Sequence, residues 1–336
     1  MQQFGFKVIP SADGGSKVPV AVAGQTMVDV QRLLTDIGEN MVKMELRLQD
    51  GVPARLSNLF RLDIGGGQGG SLGADPANGG HDIMDDALGM LCDTLDFLGK
   101  GVVGTWLQDN FPDTPARRRI ASDVLALSKD LGDCTLVYGP AGEERKFGKV
   151  DADKLSAAAN EDISTHDGAM IGVISRDPVR KNRWNIASGP VAVPISFSSN
   201  IAASDIPSFA AAGPVIVTGT IVRDKAGRIS EFRNAVGCYS FPEVKFHRII
   251  SGDGDMVLLI PVVGIPGYDA QKGMWSLTCD MLGIDERKPS WDECVASFHE
   301  YFMFLWETYA KGDGEFEGEE QEIRELLLSM VPVTAN

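Results

Sequence analysis

The residues that could do chemistry begin with a glycine-rich stretch, GGGQGGSLGADPANGG, at positions 65–80. Gly65, Gly67 and Gly70 satisfy the spacing G-x-G-x-x-G, which in dinucleotide-binding proteins brings a pyrophosphate to the first turn of a helix. That chemistry requires the helix to begin within the motif, and the next helix is predicted to begin only near His81 or Asp82. The Gly-Lys-Ser/Thr triplet of a P-loop is absent as well. The favoured interpretation is therefore a flexible loop without chemistry.

A nucleotide-binding alternative combines Gly70-Ser71 with the acidic residues that follow the loop. Asp82, Asp85 and Asp86 have the side chains that hold magnesium in nucleotidyltransferase sites. Those sites need two carboxylates at i and i+2 on one strand face, whereas Asp82 and Asp85 have helical spacing. Acidic residues in a first helical turn are ordinary partners of the helix dipole. We therefore predict no metal and no cofactor, and keep a metal-dependent enzyme for a nucleotide or phosphorylated substrate as an alternative.

Arg117, Arg118 and Arg119 form the only run of three basic residues in the chain. They stand near the start of a predicted helix, where the helix dipole mildly disfavours cations. An anion or an acidic partner could bind there. A solvated helix face whose arginines pair with nearby aspartates is the favoured interpretation.

The remaining reactive side chains do not converge in sequence. His247 alternates with a phenylalanine on a predicted strand and should face outward, and His299 is expected at the flank of a helix or exposed. Neither has a carboxylate or a thiol at metal-ligand spacing. The motif G-x-S-x-G is absent, so no Ser-His-Asp arrangement can be assigned. The five cysteines have no C-x-x-C spacing and are interpreted as reduced thiols: Cys92, Cys134, Cys238, Cys279 and Cys294.

The elements that must position these residues predict an α+β fold. Residues 1–160 should form a helix-rich α+β domain that contains the glycine-rich loop. A first strand covers residues 1–9, residues 18–22 could pair with it, and long helices cover about 27–49, 82–98 and 114–131. Thr26 and Thr114 are the expected N-caps of the first and third helices. Apolar residues at spacings of three and four positions mark the buried side of each helix.

Residues 165–263 have the pattern of an antiparallel β domain. Short apolar stretches follow one another at regular intervals, and polar turns such as Asp224-Lys225-Ala226-Gly227 separate them. This spacing is typical of a sheet that can close into a small barrel. Residues 264–336 are predicted to add a strand, an amphipathic helix packed on the β domain, and an acidic tail.

The strongest periodic signal is the helix predicted over residues 290–311. Ser290 and Glu293 form a capping box at its start. Its inward stripe consists of Trp291, Cys294, Val295, Phe298, Phe302, Leu305, Trp306 and Tyr309. Met303 and Phe304 lie off that stripe, so more than half of the circumference is apolar and needs a further cover. The candidate interface residues are Met303, Phe304, His299 and Trp306.

Composition restricts the possible partners. The formal net charge is −16, so the average field repels a phosphate backbone, and nucleic-acid binding is not expected without a local basic patch. No apolar stretch approaches the roughly 18 residues that span a bilayer, and the N-terminus lacks a secretory signal. A cytoplasmic protein that meets no membrane is predicted. An acidic surface of this kind could engage a basic partner.

The C-terminal part resembles the HicB-type antitoxin domain over about residues 255–311. The residues that carry the resemblance are the strand MWSLTCDML from Met274, the loop GIDERKP, and the capped helix that begins Ser290, Glu293 and Cys294. Asp280, Leu282 and Gly283 stand where that family has its turn, and residues 255–263 and 275–279 would be paired strands. The family's turn prolines are missing, and no DNA-binding helix-turn-helix or ribbon-helix-helix segment follows. The resemblance therefore implies dimerisation or the covering of a protein partner, not DNA binding.

The sequence thus favours a non-enzymatic interaction or regulatory protein that acts with a protein partner or as a homo-oligomer. An antitoxin-like role or a place in a prokaryotic defence assembly fits this interpretation. Besides the metal-dependent enzyme, a structural protein of a virus or filament is a further alternative.

Overall fold

The computed structural model describes residues 4–10, 17–49, 51–62, 83–140, 142–252, 254–312 and 314–331. Two compact units can be distinguished in it. The first comprises Met1–Met41 and Ser57–Glu161, and the second comprises Val42–Leu56 and Asp162–Asn336. The predicted α+β class is confirmed, and so is the closure of the middle strands into a barrel.

The helices, in chain order, are α1 (Val20–Glu45), α2 (Ala54–Ser57), α3 (Ile83–Gly99), α4 (Gly104–Asn110), α5 (Thr114–Leu131), α6 (Ala152–Ala159), α7 (Ile206–Ala211), α8 (Trp291–Leu305) and α9 (Glu319–Met330). A 3-10 turn covers Asn58–Phe60, another covers Asp280–Leu282, and a π-helical turn, Trp306–Ala310, follows α8 directly.

The strands are β1 (Phe4–Pro10), β2 (Cys134–Pro140), β3 (Arg145–Phe147), β4 (Thr165–Arg176), β5 (Trp184–Ala187), β6 (Ala192–Phe197), β7 (Pro214–Arg223), β8 (Ile229–Ser240), β9 (Val244–Ser251), β10 (Gly254–Asp269), β11 (Met274–Cys279) and β12 (Ile284–Lys288).

Helix α1 of the first unit is longer at its start than the sequence predicts. The strand expected over residues 18–22 is wrong, because the helix begins at Val20. Thr26, the expected N-cap, is a fully buried residue inside the helix. The predicted apolar stripe is confirmed, since Val30, Leu33 and Ile37 are fully buried. The error arose because the small apolar residues before Thr26 suit either a strand or a helix, and local pattern does not decide between them.

Helix α5 and an antiparallel sheet complete the part of the first unit that matters here. The sheet has the order β1-β2-β3, with Phe6 opposite Tyr138. Asp113 occupies the N-cap position of α5, one residue before the predicted Thr114. The predicted buried stripe of α5 is confirmed, for example at Ile120 and Val124.

The second unit contains a closed five-stranded barrel with the strand order β4-β5-β6-β8-β7. All neighbouring strands are antiparallel except β6 and β8, which run parallel and close the barrel. Helix α7 lies in the connection between β6 and β7. This is the Greek-key order of a five-stranded barrel of the OB type. Its interior is filled by apolar side chains: Met170, Ile174, Ile186, Val193, Ile195, Ile206, Val215, Val217, Ile221, Phe232 and Ala235.

The second unit also contains a four-stranded antiparallel sheet with the order β12-β11-β10-β9. Two expectations about this region are wrong. Residues 284–288, predicted as a loop, form β12 and pair with β11 from Ile284 opposite Cys279 onward. The part of β10 that pairs with β11 is residues 265–269, whereas residues 255–257 and 262–264 pair with β9.

The segment before α2 is bonded to the start of α8 within the second unit. The carboxylate of Asp292 accepts hydrogen bonds from the amides of Gln49 (2.7 Å) and Gly51 (3.4 Å). The indole of Trp291 donates to the carbonyl oxygen of Arg47 at 3.1 Å. The side chain of Gln49 in turn accepts from the amide of Ile171 at 2.9 Å. These bonds give partners to the backbone groups of Arg47, Gln49, Gly51 and Ile171.

Candidate functional site

Helix α8 begins as the capping box predicts. The hydroxyl of Ser290 accepts a hydrogen bond from the amide of Glu293 at 3.2 Å. The first part of the predicted stripe, from Trp291 to Leu305, is buried. Trp291 meets Trp275 of β11 with ring centroids 5.4 Å apart and Phe241 at 5.5 Å, both edge-on. Aromatic pairs of this geometry fix the orientation of the helix on the sheet.

The outer side of α8 carries the exposed aromatic residues. Phe304 is 57% exposed and Tyr301 is 37% exposed, and their ring centroids lie 5.8 Å apart. Met303 and Trp306 are half-buried. Of the four predicted interface residues, Phe304 is thus the most accessible. A large exposed aromatic pair on a rigid helix is the usual form of an interaction anchor.

An acidic segment is attached to the end of α8. The ring of Phe316 packs edge-on against Tyr309 of the π-helical turn, with the ring centroids 5.2 Å apart. The guanidinium of Arg324 lies over the same Phe316 ring, 5.4 Å from its centroid. The segment exposes six glutamates: Glu315, Glu317, Glu319, Glu320, Glu322 and Glu325. We call Tyr301, Phe304 and these six glutamates the C-terminal face. Its members are an exposed aromatic pair on α8 and negative charges on the segment that follows α8 in the chain.

His299 is not an interface residue, because it is fully buried, and the prediction that it is exposed is wrong. Its ring packs edge-on against Phe246 of β9 at 4.5 Å, and its Nδ1 accepts the amide of Ile250 at 3.0 Å. Burial lowers the pKa of His299 to about 3. The imidazole is therefore neutral, and its role is to hold α8 on β9.

The three consecutive arginines do not form a common site. The guanidinium of Arg117 is buried and donates to Glu161 (2.7 and 2.9 Å), to Thr114 and to the carbonyl oxygens of Phe111 and Pro112. Its five donors are thus all engaged, which leaves none for an anion.

The other two arginines have partners of their own. Arg118 donates to the carbonyl oxygen of Ala159 at 3.1 Å, and Arg119 lies 3.7 Å from the carboxylate of Asp36. The favoured interpretation, arginines paired along a helix face, agrees with this arrangement. A cleft of about 460 Å³ is lined by Arg117 but not by Arg118 or Arg119; Lys154, Glu161 and Gln108 supply its other polar side chains.

The nucleotide-binding candidates fall mostly outside the described residues. Gly65, Gly67, Gly70, Ser71 and Asp82 all lie there. Asp85 and Asp86 stand in the first turn of α3, the position at which carboxylates complement the helix dipole. Within the described part of the chain, no group of three histidine, cysteine or acidic side chains is arranged to hold a metal ion.

The cysteines are free thiols, and those with shifted pKa values are poor nucleophiles. Burial raises the pKa of Cys92 and of Cys294 to about 12, and that of Cys238 to about 11. A thiol in that range is not ionised at neutral pH. His247 is exposed, as predicted. Among the helices of the described residues, none is both long and apolar enough to cross a membrane.

Two aspartate pairs join α1 and α5, and the sequence interpretation missed them. Asp36 of α1 lies near Asp123 of α5, and Asp29 of α1 lies near Asp130 of α5. Burial, and then the proximity of Asp36, raises the pKa of Asp123 to about 8. Each helix carries the pattern D-x6-D, Asp29 and Asp36 on α1 and Asp123 and Asp130 on α5. This spacing puts the two aspartates of one helix about two turns apart. Only the antiparallel packing of the two helices brings the carboxyl groups together.

Comparisons with known proteins add no relative to this geometry. A scan against models of protein families found no match, and searches of curated proteins and of solved structures returned no significant match.

Proposed function

We propose that this chain is a non-enzymatic cytoplasmic protein that binds a basic protein partner through its C-terminal face. The observation that carries the proposal is Phe304, a large aromatic side chain held 57% exposed on a helix whose other side is firmly packed. An exposed ring costs solubility unless a partner covers it, and interface anchors are typically aromatic.

The charge of the segment that follows α8 selects the kind of partner. Six exposed glutamates lie in the segment fixed to the end of α8 by the contact between Phe316 and Tyr309. A second copy of this chain would bring the same negative charge to the interface and be repelled. A polypeptide with an apolar anchor and a rim of lysines and arginines would be attracted, and its association would be accelerated by the field.

An antitoxin-like role, or a place in a prokaryotic defence assembly, is the proposed setting. The resemblance of residues 255–311 to HicB-type antitoxin domains supports it, since such a domain covers a protein partner. Helix α8 packs on β9, β11 and β12, the sheet-and-helix arrangement that this role requires.

Two defined peptides test the proposal in vitro with the full chain. One is polylysine, and the other is an amphipathic lysine–leucine helix of equal positive charge. We expect the amphipathic peptide to bind at least about tenfold more tightly, because it also covers the aromatic pair. Phe304→Ala should remove that difference. Val20→Ala is the matched control, since Val20 is 89% exposed at the start of α1, away from this face along the chain.

A photo-crosslinking residue placed at position 304 or at position 20, in cells of the source organism, then tests the partner. A basic protein captured at 304 and not at 20 would support the proposal. A dimer seen by light scattering that Phe304→Ala dissociates would assign the face to a second copy instead. Equal binding of both peptides by wild type and Phe304→Ala would overturn the proposal. Stabilisation by nucleotide with magnesium would favour the enzyme alternative, and concentration-dependent ordered assembly would favour the structural protein.

A further inference from the structure

The barrel is a locally basic part of an acidic chain. Residues 165–240 carry eight lysines and arginines against five acidic residues, a net charge of +3, which leaves −19 for the rest of the sequence. Seven of the eight cations lie in or beside two hairpin loops, β4–β5 and β7–β8: Arg176, Arg180, Lys181, Arg183, Arg223, Lys225 and Arg228. The argument against nucleic acid from the average charge does not apply to such a patch.

The β4–β5 loop holds the densest group of these cations. Arg180, Lys181 and Arg183 are exposed, and none of them takes part in a salt bridge among the described residues. The one acidic residue of the loop, Asp177, turns its carboxylate to the amides of Val179 (2.8 Å) and Arg180 (2.9 Å). These bonds to the backbone amides hold the pKa of Asp177 below its usual range. The carboxylate thus shapes the loop, and the three cations remain available to an external anion.

A contact between a guanidinium and an aromatic ring lies at the base of this loop; we call it the Arg176–Trp184 stack. The guanidinium of Arg176 lies 4.8 Å over the ring of half-buried Trp184, its directly opposite partner on β5. A hydrogen bond from Arg176 to the carbonyl oxygen of Lys181 (3.1 Å) helps to hold the guanidinium over the ring. Exposed guanidinium planes and indoles are the surfaces on which unpaired bases stack.

The barrel surface beside this contact is mixed in character. Trp184 pairs with Ile195 of β6, whose neighbours Pro194 and Ser196 are exposed, and Asn185 is half-buried on β5. Two valines of the adjoining loops are exposed as well, Val179 (86%) and Val191 (74%). Barrel topology by itself does not define a ligand. The exposed cations and the Arg176–Trp184 contact together indicate one.

We propose that the β4–β5 loop and the adjoining β5–β6 surface bind a single-stranded nucleic acid, with Arg180, Lys181 and Arg183 on the phosphates and the Arg176–Trp184 stack beneath a base. A duplex hides its base faces, so it could use the cations but not the stack. An acidic polypeptide would likewise use the cations alone. This activity is separate from the partner binding proposed for the C-terminal face.

Fluorescence anisotropy with labelled oligo-dT and oligo-U of about 16 nucleotides tests the proposal on the full chain at about 50 mM and about 200 mM salt. We expect binding that weakens as salt rises. The triple variant Arg180→Glu/Lys181→Glu/Arg183→Glu should lose at least about tenfold in affinity. Lys7→Glu/Lys17→Glu/Lys129→Glu, which reverses three exposed lysines elsewhere and changes the net charge equally, should bind like wild type.

A second variant separates base stacking from charge. Arg176→Lys keeps the charge and loses the planar guanidinium, so it should weaken oligo-dT by about fivefold or more and leave inorganic polyphosphate unaffected. Polyglutamate should compete poorly with oligo-dT. Absence of oligonucleotide binding at the lower salt, equal losses in both triple variants, or polyglutamate competing as well as oligo-dT would each overturn the proposal. The last result would assign the patch to an acidic polypeptide.

Discussion

The backbone amide of Ile250 on β9 donates a 3.0 Å hydrogen bond to Nδ1 of His299 on α8. The acceptor role of Nδ1 requires the proton of the neutral ring to be on Nε2. A charged imidazole would have a proton on Nδ1 facing that amide, at a position that is fully buried. One bond thus joins a helix to a sheet and makes the junction sensitive to acid.

We predict that His299→Phe destabilises the second unit at neutral pH but reduces its sensitivity to acid. The variant leaves the Ile250 amide without its acceptor, at a cost of about 1–3 kcal/mol. In the wild type the pKa is lowered to about 3 on folding, so below about pH 6.5 the unfolded chain takes up a proton that the folded chain refuses. Stability is therefore lost as the pH falls from that value. Urea unfolding between pH 4 and pH 8 measures the effect, and parallel pH profiles for both proteins would contradict it.

Asp123→Asn should stabilise the first unit, and more so as the pH rises. The pKa of Asp123 is raised to about 8 on folding, so stability is greatest in acid and is lost as the pH rises toward that value. Asparagine removes the titration and can donate to the carboxylate of Asp36. Thermal unfolding at pH 5 and pH 8 should show a gain in Tm that is larger at pH 8. Asp109→Asn, at an exposed position on α4, is the control and should show no such difference.

One substitution placed at two positions of α1 should have opposite effects. Gly24 is exposed and a Cβ atom there meets nothing, so Gly24→Ala should stabilise by about 0.5–1 kcal/mol through helix propensity. A Cβ atom at Gly38 would run into the fully buried ring of Phe60. Gly38→Ala should therefore destabilise by about 1–3 kcal/mol. Thermal unfolding of the two variants measures both effects. A shift of Tm in the same direction for both variants would show that Phe60 does not pack on α1 in this way.

The Asp292 carboxylate should be needed to hold the segment before α2. Asp292→Ala removes the acceptor of the Gln49 and Gly51 amides and should cost about 1–3 kcal/mol. Asp292→Asn keeps one carbonyl acceptor and should fall between the alanine variant and wild type. Hydrogen exchange of the Gln49 amide gives a local readout, with protection expected in the order wild type, Asn, Ala. Unchanged exchange in the alanine variant would rule out this role.

Several elements could be predicted because their signal is local. The stripe of α8 from Trp291 to Leu305 and its Ser290 N-cap depend on residues within a few turns of one another, and both are confirmed. Trp306 and Tyr309, the last two residues of the predicted stripe, are only half-buried. The strand Pro214–Arg223 ends directly before the predicted turn Asp224–Gly227, since a glycine-containing polar turn marks the end of a strand locally. Burial of a helix stripe follows from periodicity whatever partner covers it.

The candidate sites were harder to predict, because their residues are distant in sequence. Arg117 meets Glu161, 44 positions later, and is satisfied within the fold. The four basic residues within positions 176–183 can be read in the sequence, but the net charge of −16 for the whole chain hides this local positive charge. Only its place at the mouth of a hairpin, with Arg176 opposite Trp184, distinguishes it from scattered surface charge.

The sequence by itself determined the α+β class, the apolar stripes and the antiparallel barrel strands, because residues within a few positions of each other set periodicity. The tertiary structure alone decided which surfaces meet. It made a strand of the polar residues 284–288 by pairing them with β11, closed the barrel through the parallel β6–β8 pair, and buried His299 under Phe246. Phe304 of α8 remains exposed, because the sheet covers only one side of this helix. The local sequence pattern does not predict which apolar residues outside the stripe will be buried by another element.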